Sequence, residues 1–444
     1  MKLPQLLLDS LASVKGFDKE DFIKVHESGE QVTSIRVNPF KEFGISNLKF
    51  QIPWTEYGYY FETRPSFTFD PLFHAGCYYV QEASSMFLEQ ALKQTLNLSQ
   101  PLKVLDLCAA PGGKSTHLLS LISKESLLVS NEVIRSRANI LTDNIVKWDC
   151  SNVIVTNNDP RDFQRLENYF DMIVVDAPCS GSGLFRRDPE AIEEWSGQNV
   201  ALCSQRQQRI LADILPALKN DGVLIYSTCS YSTEEDEEIC NWLTEEFQIS
   251  NLKFKIEDGW GIIETEQGYR FWPDKVKGEG FFIACFRKTS SNDEEAYLPK
   301  IKPGKFSVKE MEILNKNVNA GGLAFLRHEE IIYTIPEILL ADINFLSSKL
   351  RIVNCGTRIG EIIKDKLIPD HALALSNIIS DKISRLELDY EQAIQYLKKK
   401  ELKIETDKKG WTLVTYQGHQ LGWINILPNR INNYYPKELR ILKD

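Results

Sequence analysis

The stretch DLCAAPGGKSTH, residues 106–117, decides the interpretation of this sequence because it follows an apolar run and opens a helix-like segment. It contains GGKST, which resembles the end of a phosphate-binding P-loop. That motif needs its first glycine at position 108, where this chain has Cys108. Pro111 also removes one backbone N–H donor from the loop. The stretch is therefore interpreted as a turn after the first strand of a doubly wound sheet, not as an ATP or GTP site.

Apolar runs recur after this turn, and helix-like segments separate them. The runs are KVLDLC, LLVSNE, NVIVTN, MIVVDA, GVLIYSTC and GFFIACFRK. Near-continuous apolar runs between helices predict a buried, mostly parallel sheet. The last run follows a long insert, which favours an antiparallel strand. The fold class predicted for the central part of the chain is α/β.

Polar residues at the strand ends indicate a ligand site, since ligands of doubly wound sheets bind outside the carboxyl ends of the strands. Gly112 and Gly113 let a ligand approach the backbone closely. Glu132, after the second run, is placed to accept hydrogen bonds from ribose hydroxyls, and Asp159, after the third, to meet an adenine edge. A ligand with ribose and adenine but no phosphates fits, and S-adenosylmethionine is the obvious candidate. The alternative is that these acids only cap strand ends.

Two further strand ends carry cysteines. The fourth run ends in VVDAPCSGSG, with Asp176 and Cys179, and the fifth in YSTCSYS, with Cys229. In a doubly wound sheet these turns open on the same side as the first loop, so the three residues are expected to converge beside the cofactor. A lone cysteine at a strand end is more often structural, but two of them with an aspartate are harder to dismiss.

Methylation of a pyrimidine at carbon 5 is a reaction that needs thiols and a carboxyl group close together. A thiolate that adds to carbon 6 makes carbon 5 nucleophilic, and a carboxyl group at N3 stabilises the developing charge. Loss of the carbon-5 proton and release of the thiol need a further acid or base. Lys114 is a candidate either to lower the pKa of a thiol or to orient the acid.

The sequence resembles the Sun (Nop/Nol/Sun) family of RNA cytosine methyltransferases, above all its bacterial RsmF branch. The matching segments lie mostly between residues 30 and 290: SIRVNP, GCYYVQEASSM, VLDLCAAPGGKSTHL, VVDAPCSGSGLFRRDPE, QRQQRIL, GVLIYSTCSYSTEEDEE and GEGFFIACFRK. The C-terminal stretch LVTYQGHQLGWINILPNRINNYYPKELRI is similar to the PUA-like RNA-binding unit of that branch. The resemblance implies a Rossmann-like methyltransferase core with a seven-stranded mixed sheet, an N-terminal α+β domain, and C-terminal α+β and PUA-like domains.

The resemblance also implies roles for individual residues. Cys229 is the implied nucleophile, Cys179 assists product release, Asp176 contacts cytosine N3 and Lys114 supports Asp176. The residues implied to hold S-adenosylmethionine are Cys108, Ala109, Ala110, Pro111, Gly112, Gly113, Lys114, Glu132, Asp159 and Asp176. The implied partner is RNA, most of all 16S ribosomal RNA or the assembling small subunit.

Five segments are predicted along the chain. They are an N-terminal accessory or RNA-binding domain (1–95), the catalytic domain (96–288), a polar linker (289–300), an intermediate domain (301–384) and the PUA-like domain (385–444). The net charge is −10 overall, but residues 301–444 carry +4, which is compatible with a local RNA-binding patch.

Composition sets the remaining expectations. The nine cysteines form no CxxC pair, and the six histidines form no ligand pattern, so no metal site is predicted. No apolar run is long enough to span a membrane and the N-terminus lacks the features of a secretory signal, so a cytoplasmic monomer is expected.

Three charged stretches have open interpretations. Arg186 and Arg187 in FRRDP meet phosphates or form a solvated, salt-bridged surface. NRINNYYPKELR, residues 429–440, places Tyr434 and Tyr435 among basic groups, which suits unstacked RNA bases as well as core packing. The acidic run STEEDEE, residues 232–238, is typical of a helix start.

Rival functions also follow from the residues. A DNA cytosine methyltransferase would rely on a single cysteine in the Pro-Cys turn, whereas this chain has a second cysteine and a PUA-like tail. A tRNA cytosine-5 methyltransferase uses the same chemistry on another RNA. A non-catalytic RNA-binding assembly factor would not need the set of Asp176, Cys179, Cys229 and Lys114.

Overall fold

The computed structural model describes residues 3–289, apart from 43, 45–47 and 49, and residues 306–443. The predicted linker lies outside the described residues, except for residue 289. A search of the described helices found none that is both long and apolar enough to cross a lipid bilayer.

The N-terminal part is a small antiparallel sheet flanked by short helices. Its sheet has the strand order β2-β3-β1-β4. The predicted strand TSIRV is β1, and all five of its residues are buried. The elements are α1 (Gln5–Ser10), α2 (Lys19–Glu27), β1 (Thr33–Val37), β2 (Phe50–Gln51), β3 (Gly58–Phe61), α3 (Pro71–His74), β4 (Tyr78–Val80) and α4 (Leu88–Thr95).

The central part contains all six strands predicted from the apolar runs. Its elements are β5 (Lys103–Asp106), α5 (Gly113–Leu121), β6 (Leu127–Asn131), α6 (Arg135–Trp148), β7 (Val153–Thr156), β8 (Phe170–Asp176), α7 (Ala191–Glu194), α8 (Gly197–Ile214), β9 (Leu218–Thr228), α9 (Glu237–Glu246), β10 (Ile249–Leu252), β11 (Ile263–Glu264), β12 (Tyr269–Phe271) and β13 (Phe281–Lys288). Strands β6 and β7 are buried along their whole length, because helices cover both faces of the sheet.

The C-terminal part adds two four-stranded sheets with helices between the strands. Its elements are α10 (Val308–Asn317), β14 (Leu323–His328), β15 (Ile331–Pro336), α11 (Leu340–Ser347), β16 (Ile352–Cys355), β17 (Thr357–Ile363), β18 (Lys366–Pro369), α12 (His371–Leu375), β19 (Arg385–Glu387), α13 (Tyr390–Leu397), β20 (Gly410–Tyr416), β21 (His419–Leu427) and β22 (Arg430–Asn433). The predicted strand–turn–strand near the end of the chain is β20–β21.

The central sheet has the predicted seven-stranded mixed core. The core order is β7-β6-β5-β8-β9-β13-β10, in which β5 to β9 pair in parallel and β13 pairs antiparallel with β9. Three more strands enlarge it to ten: β11 and β12 at one edge and β16, from the C-terminal part of the chain, antiparallel to β7 at the other. The carboxyl ends of β5, β6, β7, β8 and β9 therefore lie along one edge of the sheet, where the predicted site residues meet.

The last part of the chain shares a hydrophobic core with the N-terminal sheet. Buried side chains of β1 and of the segment before β4 pack in one cluster with side chains from α13, β20 and β21. Members of this cluster include Ile35, Val37, Cys77, Tyr78, Tyr396, Leu397, Val414, Leu421 and Ile424. Each large apolar side chain buried in such a cluster contributes about 1.5–3 kcal/mol, so the two parts stabilise each other.

Candidate active site

The turn after β5 contains the residues predicted to hold the cofactor. Strand β5 ends at Asp106 and α5 begins at Gly113, with residues 107–112 between them. Gly112 caps α5 with a φ of 114°. Side chains with a Cβ disfavour that conformation, so the sequence of this turn requires glycine there. The loop's alanines, Ala109 and Ala110, are buried, and Pro111 is exposed.

Asp106 carries an unsatisfied oxygen at this turn. Its carboxyl group is fully buried, and Oδ2 accepts a hydrogen bond of 2.7 Å from Ser115 Oγ on α5. Oδ1 has no hydrogen-bond partner among the described residues. Burial raises the pKa of Asp106 to about 7, although the Ser115 hydrogen bond opposes the shift. A buried acceptor without a donor costs about 1–3 kcal/mol, so the turn suits a ligand with cationic donor groups, as S-adenosylmethionine has.

The two acids predicted to bind ribose and adenine lie after adjacent strands. Glu132 is buried, and its Oε1 accepts a hydrogen bond of 2.9 Å from the Ile134 N–H. Its Oε2 lies 3.5 Å from the Arg137 guanidinium. Asp159 accepts from the Arg161 N–H at 3.2 Å and caps a short 3-10 turn. Glu132 therefore holds the backbone after β6 and Asp159 caps a turn, yet each carboxylate keeps acceptor capacity for a ligand.

Two apolar side chains next to Glu132 were not singled out from the sequence. Val133 and Ile134 are 56% and 49% exposed, directly after the carboxyl end of β6. Apolar walls with a few polar groups are typical of small-molecule sites. The sequence did contain a signal for this apolar wall, since two apolar residues immediately follow the acid at the end of a strand.

A buried arginine of the N-terminal sheet braces α5. Arg36 on β1 lies 4.3 Å from the centroid of the Trp148 ring and donates to the carbonyls of Gly113 (3.2 Å) and Thr116 (3.3 Å). It also donates to Thr116 Oγ1 at 2.6 Å. Burial lowers the pKa of Arg36 to about 9, so the group stays charged at neutral pH. The N-terminal sheet thus fixes the first turn of the helix that follows the cofactor loop.

The two predicted catalytic cysteines contact each other. Cys179 Sγ lies 3.1 Å from Cys229 Sγ, although 50 residues separate them in the chain. The contact follows from the sheet, since β8 and β9 pair in parallel and both turns leave the same edge. Both thiols are free and partly accessible. The structure therefore brings together the two cysteines that the sequence predicted to converge.

Gly183 allows the two cysteine turns to approach this closely. Its N–H donates to the Cys229 carbonyl at 2.8 Å. A Cβ at this position would lie 2.7 Å from that carbonyl oxygen and 2.6 Å from the carbonyl oxygen of Gly280. Real Cβ atoms are not found so close to backbone oxygens, so any larger residue would push the turns apart.

Asp176 and Lys114 form the second predicted pair. Lys114 Nζ lies 2.8 Å from Asp176 Oδ2, and Ser227 Oγ donates to Asp176 Oδ1 at 2.8 Å. The Asp176 side chain is 37% exposed, so it remains open to a ligand. Of the two roles considered for Lys114, this geometry favours orienting the acid, because its ammonium contacts the carboxylate.

The Cys179 thiol lies in an environment that disfavours its thiolate. The hydrogen bond with Cys229 raises the pKa of Cys179 well above its usual value, and burial adds to the shift. Burial likewise raises the pKa of the Cys108 thiol in the cofactor loop. Cys179 and Cys108 therefore remain protonated at neutral pH.

In each of the two pairs Arg186/Arg187 and Tyr434/Tyr435, one residue is buried and the other is exposed. Arg186 is buried and donates to the carbonyls of Gly278 (3.1 Å) and Glu30 (2.8 Å), so it is a structural group that meets no phosphate. Arg187 is exposed. Tyr435 is only 1% exposed and is core, whereas Tyr434 is 44% exposed.

The acidic run is only in part a helix start. Glu237 and Glu238 lie in the first turn of α9, as predicted. Glu235 and Asp236 instead point into the protein and are fully buried. Neighbouring charges along one sequence run therefore have opposite environments, and the buried pair lies next to the cysteine turns.

The fold and the site define a class, that of S-adenosylmethionine-dependent methyltransferases. A methyltransferase homologue from Pyrococcus horikoshii superposes with a TM-score of 0.52 at 28% identity, over 64% of this chain and 100% of that one. The fold is also shared with NSun6 from Pyrococcus horikoshii, solved with SFG, at a TM-score of 0.55 and 21% identity, over 65% of this chain and 99% of that one.

Family models and curated relatives narrow the class. The model of 16S rRNA methyltransferase RsmB/F matches residues 93–287, that of the RsmF N-terminal domain 3–83, and that of the methyltransferase RsmF PUA domain 384–441. Ribosomal RNA small subunit methyltransferase F of Psychromonas ingrahamii is 31% identical over 99% of this chain and 97% of its own length. The protein of the same name from Aeromonas salmonicida is 33% identical over 91% of this chain and 90% of its own length. The chain belongs to the ribosomal RNA small subunit methyltransferase F family, and S-adenosylmethionine is its cofactor.

Proposed function

We propose that this protein methylates carbon 5 of cytidine in 16S ribosomal RNA through a covalent cysteine adduct at carbon 6. The single observation that carries the proposal is the 3.1 Å contact between Cys179 and Cys229 at the carboxyl edge of the sheet. Two thiols in contact beside an acid are of little use for direct methylation of a nucleophilic nitrogen or oxygen. They suit methylation of a poorly nucleophilic carbon. That carbon must first be activated by a covalent bond to the base, and the product must then be released from the enzyme.

Cys229 is proposed to begin the reaction. It releases its proton to water, and its sulfur forms a bond to carbon 6 of the base. The electron pair of the C5–C6 double bond moves towards carbon 5, which thereby becomes nucleophilic. When bound, S-adenosylmethionine supplies the electrophilic methyl group that the activated carbon 5 takes up.

Asp176 is proposed to stabilise the charge that develops on the ring. A carboxyl group that shares a proton with N3 offsets that charge. Lys114, 2.8 Å from Asp176 Oδ2, and Ser227, which donates to Oδ1, fix the orientation of this carboxyl group. A preoriented acid needs no rearrangement as the charge forms.

Cys179 is proposed to complete the reaction. While Cys229 is free, the hydrogen bond between the two sulfurs raises the pKa of Cys179. Once Cys229 is bonded to carbon its sulfur is a thioether, which accepts hydrogen bonds only weakly, so this cause weakens and Cys179 can release its proton to water. Its thiolate then takes the carbon-5 proton, the C–H pair restores the C5–C6 double bond, and Cys229 leaves as a thiolate.

The residues proposed to hold the cofactor are those of the β5 turn and the neighbouring strand ends. The loop from Cys108 to Gly113 would contact it through the backbone. The carboxylates of Glu132 and Asp159 would accept hydrogen bonds from hydroxyl and amino groups, and Asp176 lies at the same edge.

Cofactor binding gives a first prediction. S-adenosylmethionine or its demethylated product is expected to raise the melting temperature by several degrees at saturation, because it binds the folded state alone. ATP at the same concentration is expected to leave the melting temperature unchanged. Differential scanning fluorimetry measures both, and stabilisation by ATP alone would restore the P-loop interpretation.

The C-terminal unit is proposed to bind the RNA. Tyr434 is exposed and lies 4.4 Å from the Trp411 ring, and Arg430 and Lys437 are exposed nearby in sequence. Aromatic and basic side chains together suit unstacked bases and phosphates. Deleting residues 385–444 would not test this cleanly, because the unit shares its core with the N-terminal sheet.

A second prediction replaces the deletion by charge reversal. The double variant Arg430→Glu/Lys437→Glu is expected to weaken RNA binding roughly tenfold and to lower the salt dependence, since about two phosphate contacts are lost. Cofactor affinity should be unchanged. Lys364→Glu/Lys366→Glu, the same charge change on the exposed β17–β18 turn, is the matched control. An equal loss in both double variants would mean that overall charge, not this patch, binds RNA.

The modified nucleotide is the direct test of the proposal. Bisulfite sequencing of total RNA from a strain with the gene and from its deletion strain should reveal a cytidine in 16S ribosomal RNA that is protected only when the gene is present. Protection of a tRNA cytidine instead would identify the other RNA substrate. Identical maps from both strains would contradict cytosine-5 methylation.

A further inference from the structure

A buried carboxylate joins the two cysteine turns. Glu235 lies between β9 and α9, and its side chain is completely buried. The residues that directly follow the two cysteines, Ser180 and Ser230, both donate hydrogen bonds to it. The two thiols are thus each one residue away from a contact with the same carboxylate.

The Glu235 carboxylate accepts four hydrogen bonds. Oε1 accepts from the Ser180 N–H at 2.8 Å and from Gln207 Nε2 at 3.3 Å. Oε2 accepts from Ser180 Oγ at 2.5 Å and from Ser230 Oγ at 2.6 Å. Gln207 also donates to the Pro178 carbonyl at 3.1 Å, which ties the segment before Cys179 to the same network.

We propose that Glu235 is a positioning residue whose carboxylate fixes the two cysteine turns so that both thiols meet one base. The inference rests on the proposed function for its catalytic consequence. The structural part of the inference, that Glu235 fixes the two turns relative to each other, does not depend on the reaction catalysed.

A carboxylate satisfies all the donors at this place. A carboxylate has about four acceptor sites, and four donors point at this one. In glutamine the NH₂ group must lie at one of the two oxygen positions. At Oε1 it would face the Ser180 N–H, which cannot accept, and at Oε2 it would force the Ser180 and Ser230 hydroxyls to turn and accept instead of donate. The Ser180 N–H is buried, so an unsatisfied donor there costs about 1–3 kcal/mol and would displace the turn.

The charge of Glu235 also acts on Cys179. The titratable groups that face Cys179 are Tyr226 from β9, Cys229 from the turn after β9 and Glu235 from the segment before α9. The pKa of Cys179 is raised by the hydrogen bond with Cys229 and by burial, and further by the negative charges of Cys229 and Glu235. Removing the charge at position 235 should therefore lower the pKa of Cys179.

The first arm of the test is steady-state kinetics of Glu235→Gln in the full-length protein. We expect kcat to fall about 100-fold or more with KM for RNA and for the cofactor within about threefold, because positioning acts on the reaction and not on binding. Asp342→Asn is the matched control. Asp342 is also a buried carboxylate, bound by Tyr169 OH (2.6 Å) and Lys103 Nζ (2.7 Å), but it lies at the opposite ends of the strands. This control should keep kcat within about threefold.

The second arm needs neither RNA nor cofactor. In the Cys229→Ala background, alkylation of Cys179 by iodoacetamide is followed against pH by mass spectrometry of the Cys179 peptide. Adding Glu235→Gln should move the midpoint of the profile to lower pH, and adding Asp342→Asn should not move it. A purely structural role of Glu235 would not shift this midpoint.

Each outcome decides the inference. A wild-type kcat for Glu235→Gln, or an unchanged alkylation midpoint, would overturn it. If Glu235→Gln does not fold, the Ser180→Ala/Ser230→Ala variant removes two donors and keeps Glu235, and a wild-type kcat there would overturn the inference equally. Full turnover by Cys229→Ala would sink the proposed function, while the alkylation arm would still report on Glu235.

Discussion

Replacing Cys229 by alanine is expected to lower methyl transfer by roughly 10⁴-fold or more, because the variant has no group that activates carbon 5. The loss should appear in kcat, with RNA and cofactor affinities near those of the wild type. The structure supports unchanged affinities, since Cys229 lies on the turn after β9 while the proposed cofactor residues lie at the ends of β5, β6, β7 and β8. Transfer of a labelled methyl group to RNA under single-turnover conditions measures the effect.

The control for Cys229→Ala is Cys355→Ala. Cys355 is a free, partly buried cysteine on β16, at the far edge of the sheet from β9. It loses the same atoms and should retain full activity. If Cys229→Ala also retained full activity, the thiols would be packing groups, and the covalent route would have to be abandoned.

Much of the fold follows from local patterns in the sequence. The six apolar runs are strands of the central sheet, the last one is antiparallel, and the seven-stranded core is present. The convergence of Cys179 with Cys229 was predictable from one rule, that parallel strands end at the same edge. The pairing of Lys114 with Asp176 was implied by the family resemblance.

What the sequence could not reveal depends on contacts between distant segments. Arg36 lies in a strand that was predicted, but its hydrogen bonds to Thr116 join residues 80 positions apart. Strand β16, from the C-terminal part of the chain, joins the central sheet beside β7. Nothing local in IVNC distinguishes such a strand from any short apolar run.

Charge runs were the least reliable signal. STEEDEE has the composition of a solvated helix start, yet Glu235 is buried because Ser180 and Ser230 surround it with donors. Tyr434 and Tyr435 are neighbours, yet Tyr434 is exposed and Tyr435 is buried. Tyr435 OH lies 3.3 Å from His74 Nδ1 in the shared core. Burial of polar groups is decided by partners that a local pattern does not contain.

Replacing Cys179 by alanine is the second change with a large expected effect. Addition of Cys229 and methyl transfer remain available, but no group takes the carbon-5 proton, so elimination slows and multiple turnover should fall by about 10³-fold. The enzyme should then accumulate as a covalent complex with methylated RNA. The physical reason is that covalent catalysis divides one difficult step into addition and elimination, each with its own group.

A denaturing gel of four proteins incubated with RNA and S-adenosylmethionine tests the central claim most directly. These are the wild type, Cys229→Ala, Cys179→Ala and the double variant. We expect a slow, denaturant-resistant protein–RNA band with Cys179→Ala alone, absent from the double variant because Cys229 forms the bond. A band with Cys229→Ala that is lost when Cys179 is also replaced would reverse the roles of the two cysteines and contradict the account.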